Sequence, residues 1–332
     1  MSEYDSFADA YAAGLRDVLV DGSHVPSVRD PLSKASDFGT KDRPYREVIA
    51  HSFRVRDPQQ SLAVSSALPV NLPYCFGLLA WSLDGRNDVD TPAYYRRGAH
   101  EYSDDQHTLS GAFGHRLLSS AAGGDQLEAI IGRIRKDPAH RRAFGLVLDP
   151  SDNFRESREY PCAVGVQLFL RDGALTWLTV MRAQQALTVL PYDAFLFLLM
   201  HQWAAALLGV PCGPYIHQSG TFHFYDNEID LARKVVEAPV TSAQLPALPD
   251  SPEEAREAVA ELIALERTLR EAGVAGNTAA VDEIASTKAS TDFTDVVRAC
   301  LATQAYRKLG DAETRVDSPA ASPEVGGLIA AV

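Results

Sequence analysis

The sequence has no run of about eighteen uncharged apolar residues, so nothing in it is long enough to cross a bilayer as a helix. Its richest apolar stretch, Ala194 to Met200 followed by Ala204 to Val210, is interrupted by His201 and Gln202 and reads as a buried core helix. A basic leader is also missing. The first twenty residues are acidic and amphipathic, and no signal peptide is expected. Cysteine is scarce: Cys75, Cys162, Cys212 and Cys300 show neither C-x-x-C nor metal-finger spacing. That disfavours a structural zinc site and fits a reduced, cytoplasmic protein. Positive charge is in deficit, with 31 Lys and Arg against 44 Asp and Glu and a net charge of -13 at pH 7. General polyanion binding is therefore excluded, and a phosphate-bearing ligand would need arginines clustered locally.

What remains is ordinary globular composition: 332 residues, 46% hydrophobic and 23% charged, enough for one large domain or two small ones. Residues 1–20 carry Phe7, Tyr11, Leu15 and Val18 near helical spacing and predict a helix. Residues 21–45 are turn-rich and hold Arg29 and Arg43, and Val48 to Val55 alternates as a strand. Pro73 opens and Asp84-Gly85 closes a predicted helix over Tyr74 to Leu83, after which residues 84–112 read as polar loop. From Asp125 to Arg135 an amphipathic helix places Leu127, Ile130, Ile131 and Ile134 on one face, stopping at Asp137-Pro138. Arg142 to Leu148, Val164 to Leu170 and Ala174 to Met181 read as strands, the last two joined by a hairpin turn at Arg171-Asp172-Gly173. Phe195 to Gly209 is the long buried helix, and Tyr215 to Tyr225 a further strand. Past residue 235 a Pro-rich segment leads into an Ala/Glu-rich helix from Pro252 to Ala272, then small polar residues and a Pro/Ser/Ala stretch. The expected division is 1–235 as catalytic domain, 236–325 as a helical extension or insertion, and 326–332 as a hydrophobic tail.

Four constellations carry chemistry. Cys162 enters a strand after Tyr160-Pro161, and Arg182 sits on the partner strand of the same hairpin. A lone cysteine is usually an inert small hydrophobe, but a nearby guanidinium favours its thiolate. Arg141-Arg142 lies where a loop enters a strand; a solvated surface pair is the common reading, a bound phosphate the alternative. Asp193 precedes an apolar helical run and is read either as a helix N-cap or as a functional carboxylate. His223 and Tyr225 share one strand face, which suits a sugar hydroxyl or an ordinary hydrogen-bonded strand.

Taken in order from Arg29 to Asn227, these pieces resemble the thymidylate synthase family. That resemblance rests on Arg29 with Phe38-Gly39, Trp81 to Gly85, Asp137 to Arg142, Pro161-Cys162-Ala163, Met181 to Gln185, Leu190-Pro191-Tyr192-Asp193 and His223-Phe224-Tyr225. From Cys162 through Arg182 and Asp193 to Tyr225 the spacing agrees with the family pattern without a gap. It implies an α+β fold: a large twisted mixed β-sheet with helices on one face and the other face packed on a second copy. By the same resemblance Cys162 is the nucleophile that adds to pyrimidine C6. Arg29 and Arg182 are phosphate ligands, joined by Arg141 and Arg142 from the other subunit of a homodimer. His223 and Tyr225 hold the sugar, while Gln167, Gln185 and Tyr102 neighbour the base or folate. The implied cofactor is 5,10-methylenetetrahydrofolate, leaving as tetrahydrofolate, with no nucleic acid polymer, membrane or metal involved.

Departures from the pattern sharpen this. Where the family reads uracil with asparagine, this chain has Asp193, and a carboxyl suits the amino-bearing edge of cytosine. The exchange resembles the cytidylate hydroxymethylase branch, and within it the CMP 5-hydroxymethylases of mildiomycin-type nucleoside antibiotic biosynthesis. In that branch water, not hydride, traps the methylene on C5 of CMP or dCMP. Ala163, Ala183 and Gln185 replace the family's histidine, serine and folate-contacting aspartate, and Phe113 its turn tyrosine. Leu78 occupies the position of the acid/base glutamate, leaving Glu101 and Asp84 as loose substitutes. Two other readings compete: a dUMP-methylating thymidylate synthase, and a non-catalytic nucleotide-binding homologue.

Overall fold

A computed structural model describes residues 1–26, 43–120, 123–311, 313–314 and 316–331. The N-terminal segment is split: strand β1 (Ser2–Tyr4) precedes helix α1 (Phe7–Asp21), because Ser6 caps the helix by accepting from the Asp9 amide. Phe7, Tyr11, Leu15 and Val18 are buried, as their helical spacing predicts. Strands β2 (Ser23–Val25), β3 (Tyr45–Val55) and β4 (Leu62–Val64) follow, then helix α2 (Leu72–Leu83), with Asn71 as its cap and Pro73 in its first turn. The expected loop over 84–112 contains a short helix, α3 (Asp90–Tyr95), whose Tyr94 and Tyr95 are buried against the late helices. Helices α4 (Phe113–Leu118) and α5 (Gln126–Lys136) lead into strands β5 (Phe144–Leu146), β6 (Ala163–Arg171) and β7 (Ala174–Gln185). Strand β5 is shorter than expected, so Arg141 and Arg142 lie on its approach and not within it. Helix α6 (Leu190–Leu208) and strand β8 (Cys212–Tyr225) complete the central unit.

Seven strands among the described residues form one mixed sheet in the order β1-β3-β8-β7-β6-β5, with β2 beside β3. β6 and β7 make an antiparallel hairpin, while β7 and β8 run parallel, joined by α6 as a crossover. The hairpin register pairs Ala163 with Met181, and the Arg182 amide donates to the Cys162 carbonyl at 2.8 Å. The same register thus sets Cys162 and Arg182 side by side. Gly220 on β8 allows the next strand to approach, since a Cβ there would sit 2.7 Å from the Arg182 carbonyl oxygen. One face of the sheet is covered: Trp177, Tyr215, Phe222 and Phe224 are fully buried beneath α1 and α6. Residues of the opposite face alternate as half-exposed positions, with Ile49 65% accessible, the partial solvation that an antiparallel edge of this kind tolerates.

Beyond α7 (Ile229–Glu237) and β9 (Thr241–Ala243), the late region is helical: α8 (Pro252–Ala275), α9 (Thr278–Ser286), α10 (Asp292–Lys308) and α11 (Pro323–Ala331). Sequence reading found α8 but took the rest for small polar and Pro/Ser/Ala segment. Helix α10 is buried on nearly every side against α8 and α2, so it shows no amphipathic stripe. Phe76 on α2 meets Phe195 of α6 and Phe293 of α10 edge-on, at 5.4 and 6.0 Å, so the late helices share the central core. Among the described residues no helix is long and apolar enough to cross a membrane.

Candidate active site

Cys162 stands at the head of β6, and Arg182 opposite it on β7. The guanidinium is strapped to the cysteine loop: Nε donates to the Pro161 carbonyl and Nη2 to the Tyr160 carbonyl, both at 2.9 Å, with Nη2 also 3.8 Å from Cys162 Sγ. The plane also lies over the Tyr160 ring, 4.7 Å from its centre. Proximity alone would make the thiol acidic. Instead burial pushes it up, and although Arg182 pulls the other way, the carboxyls of Asp193 and Glu159 push it further up. The expected thiolate is therefore corrected to a thiol held protonated until a base takes its proton.

Asp193 lies in the first turn of α6 but does not cap it: that position is Val189, and no side chain caps there. Its Oδ2 accepts from Gln184 Nε2 at 2.9 Å, and burial raises its carboxyl to about 6 against the pull of that bond. The N-cap reading falls, and a carboxyl kept for another task remains.

Glu159, three residues before the cysteine, was not singled out by sequence reasoning. Its Oε2 accepts from the Gly111 amide at 2.6 Å, and burial raises it to about 7. Gly111 makes this possible, because a Cβ there would press to 3.2 Å on both the Glu159 carboxyl carbon and Pro161. Only the fold could reveal this, since a Glu in a loop ordinarily reads as solvated surface. The two loose substitutes fare differently. Asp84 is paired with Arg267 at 2.8 Å, and Glu101 belongs to an exposed 3-10 turn. Leu78 packs with Trp81, Val89, Ala99, Leu109 and Ala112 in a small apolar cluster, and Phe113 stacks on Phe197.

His223 and Tyr225 project from β8 on one face, rings 5.8 Å apart and edge-on. Burial lowers the His223 imidazole to about 4, leaving it neutral, and its buried Nδ1 has no hydrogen-bond partner among the described residues. Tyr225 carries the Arg43 guanidinium 3.8 Å over its ring and lies within electrostatic reach of Cys162 and Tyr102. Tyr102 also reaches Arg96. The fold thus brings Arg182, Asp193, Glu159 and Tyr225 within electrostatic reach of Cys162, with His223 against Arg182 and Tyr225, and Tyr102 against Tyr225. A cavity of about 240 Å³ is lined by Asn71, Tyr74, Arg96, Thr188 and Tyr192 among others. Tyr74 and Tyr192 meet edge-on at 5.1 Å, and the Arg96 guanidinium lines the same cavity within electrostatic reach of Tyr74, so aromatic walls end in a cation. Such a wall suits a flat conjugated ring with an acidic tail.

Other expected residues are not brought there. Arg29 lies outside the described residues. Arg141 and Arg142 are exposed, form no side-chain hydrogen bond or ion pair with a described residue, and approach the far end of β6, roughly 23 Å of extended strand from Cys162. Gln167 is corrected: it sits five residues along β6 and donates to the Arg141 carbonyl at 3.0 Å. Gln185 pairs with His223 across β7 and β8, but its side chain is engaged within the protein. Its Nε2 donates to Glu228 at 2.8 Å, while its Oε1 accepts from the Thr188 and Val189 amides at 2.7 and 2.9 Å.

Comparison with known proteins agrees on the fold. The thymidylate synthase family model matches residues 10–266. A deoxyuridylate hydroxymethyltransferase of Pseudomonas phage M6 is 30% identical over 173 residues, half of this chain and 49% of the phage protein. The match therefore spans about half the length of that curated relative. Among solved structures, thermostable thymidylate synthase A from Bacillus subtilis superposes with a TM-score of 0.62 at 18% identity. That superposition covers 76% of this chain and 91% of the other.

Proposed function

The chain belongs to the thymidylate synthase family, and from that premise we propose that it transfers a one-carbon unit to C5 of a cytidylate, CMP or dCMP, with water completing a hydroxymethyl group. The single observation that carries the base assignment is the half-buried Asp193 carboxyl, bonded by Gln184 and within electrostatic reach of Cys162, where the family's uracil reader is an asparagine. An ionised carboxyl accepts from the cytosine amino group and from a protonated N3, but opposes the O4 of uracil. A place in nucleoside antibiotic biosynthesis, as the sequence resemblance implies, belongs to the same proposal.

The cavity of Tyr74, Arg96, Thr188 and Tyr192 fits 5,10-methylenetetrahydrofolate, aromatic walls against the ring system and Arg96 towards its carboxylates. When bound there, that cofactor supplies the carbon at the oxidation level of formaldehyde. In this scheme Glu159, poised near neutrality, takes the thiol proton, and Cys162 Sγ bonds to C6. Arg182 pins the cysteine loop and turns its remaining Nη1 to the phosphate. His223 and Tyr225 hold the sugar hydroxyl. Having passed the thiol proton on to a folate nitrogen as the carbon is transferred, Glu159 accepts the C5 proton while the remaining carbon–nitrogen bond to the cofactor breaks, and returns it to that nitrogen. Water adds to the exocyclic methylene, and Sγ departs from C6, taking up the water's proton, as the double bond returns. Arg141 and Arg142, too distant from Cys162 in their own chain, would serve the phosphate of a second copy.

The phage relative's name favours a second reading, hydroxymethyl transfer to a uridylate. Product mass spectrometry with CMP, dCMP, UMP and dUMP side by side decides. Hydroxymethyl gain on a cytidylate is expected; gain on a uridylate alone supports the second reading, and a methyl on dUMP defeats both.

A further inference from the structure

Behind Asp193 runs a line of buried polar side chains that the catalytic scheme does not use. Trp177 Nε1 donates to Thr179 Oγ1 at 2.9 Å. On the neighbouring strand Tyr215 Oη lies 3.0 Å from His217 Nδ1. His217 Nε2 lies 3.1 Å from Gln184 Oε1, and Gln184 Nε2 is the donor to Asp193 Oδ2. All five residues behind Asp193 are 0–1% accessible, so water cannot rearrange the line. The strand register explains the assembly: β7 and β8 pair Trp177 with Tyr215 and Thr179 with His217.

We propose that this line is a one-way donor chain that holds Asp193 as a hydrogen-bond acceptor and thereby sets which base the site admits. The inference rests on the reading of Asp193 as the group that meets the base. Indole can only donate, so Thr179 accepts from Trp177, while the Tyr215 phenol has its hydrogen bond with His217 Nδ1. The phenol then donates to His217 Nδ1, leaving the proton of the neutral imidazole on Nε2. Nε2–H fixes the Gln184 carbonyl towards itself, and the amide can show Asp193 only N–H. Reversing the chain would strand the phenol proton without an acceptor, a buried unpaired donor.

Polarity of this kind matters because a neutral carboxyl is ambiguous. With its proton on one oxygen it matches the edge of cytosine, with the proton on the other that of uracil. A carboxylate accepts at both oxygens and opposes O4. Asp193 is close enough to neutral for the distinction to count, its carboxyl lying at about 6. The other titratable groups within its electrostatic reach are Cys162 on the β6 loop, Tyr74 on α2 and Tyr215 on β8, all raised by burial and uncharged near neutrality. The Gln184 donor is what favours the charged form.

Tyr215→Phe cuts the chain with minimal change of shape, and Gln184→Met removes its last donor at similar volume. The kcat/KM ratio of CMP to UMP is measured for the full-length protein and both variants, with melting temperature as control. Each variant is expected to lose roughly tenfold in the ratio, partly through faster UMP turnover, with the double variant no worse than Gln184→Met alone. Nitrogen-15 NMR of His217 should show a neutral ring protonated on Nε2, a preference that Tyr215→Phe weakens. An unchanged ratio, or an Nδ1-protonated ring in the wild type, overturns the chain while leaving the cytidylate assignment intact. A wild type that favours UMP overturns the cytidylate assignment instead, with the His217 tautomer still deciding the polarity.

Discussion

The side-chain amide of Gln184 donates to Asp193 Oδ2 at 2.9 Å, so a residue that looked like a helix cap is held from the neighbouring strand. Its carboxyl therefore has one oxygen engaged by Gln184, and its proposed base-reading role is open to direct test. Asp193→Asn should move the kcat/KM preference from cytidylate towards uridylate by roughly tenfold or more, the worth of one mismatched buried polar pair. Competition assays with paired nucleotides measure it, and unchanged selectivity would remove Asp193 from that role.

The Cys162 thiol is held up by burial and two carboxyls against one guanidinium. Alkylation by iodoacetamide in the absence of nucleotide should therefore be slow at pH 7 and accelerate only above the ordinary thiol range. Arg182→Gln removes the favourable charge and should shift the rate profile to still higher pH. A fast reaction at pH 7 would show a standing thiolate.

Glu159→Gln should lower turnover by about 10²–10⁴-fold, the usual contribution of a positioned acid or base. Stability supplies an independent readout. The folded carboxyl, at about 7, lies above its ordinary 4.5, so the folded state binds this proton more tightly than the unfolded chain. Its contribution is fully present below pH 4.5 and is lost as pH rises through 7. Thermal melts should show the glutamine variant matching wild type in acid but melting higher at pH 8. Parallel pH curves for the two proteins would deny the buried carboxyl its raised value.

Arg141 and Arg142 predict complementation. A variant with both arginines changed to alanine and a Cys162→Ala variant should each be inactive, yet regain activity when mixed under conditions that exchange subunits. One hybrid site then has an intact cysteine and arginines from the other copy. Persistent inactivity of the mixture, with exchange verified by native mass spectrometry, would restrict the arginines to their own chain.

By itself the sequence determined the order of elements around the hairpin, the pairing of Cys162 with Arg182 on it, and the shared face of His223 and Tyr225. These follow from local rules: strand alternation, a turn at Asp172-Gly173 with both residues at positive φ, and fixed spacing along connected strands. It also marked Asp193 as a departure, though not what holds it. Tertiary structure alone decided the thiol's protonation, because desolvation and charges from α6 and the 157–161 loop outweigh the arginine that sequence places beside it. It alone turned Glu159 inward onto Gly111, revealed α10 as core, and joined Tyr215 to Asp193 across two strands and a helix. Burial on all sides erases the periodic signal of a helix, and a hydrogen-bond chain between strands has no sequence spacing at all.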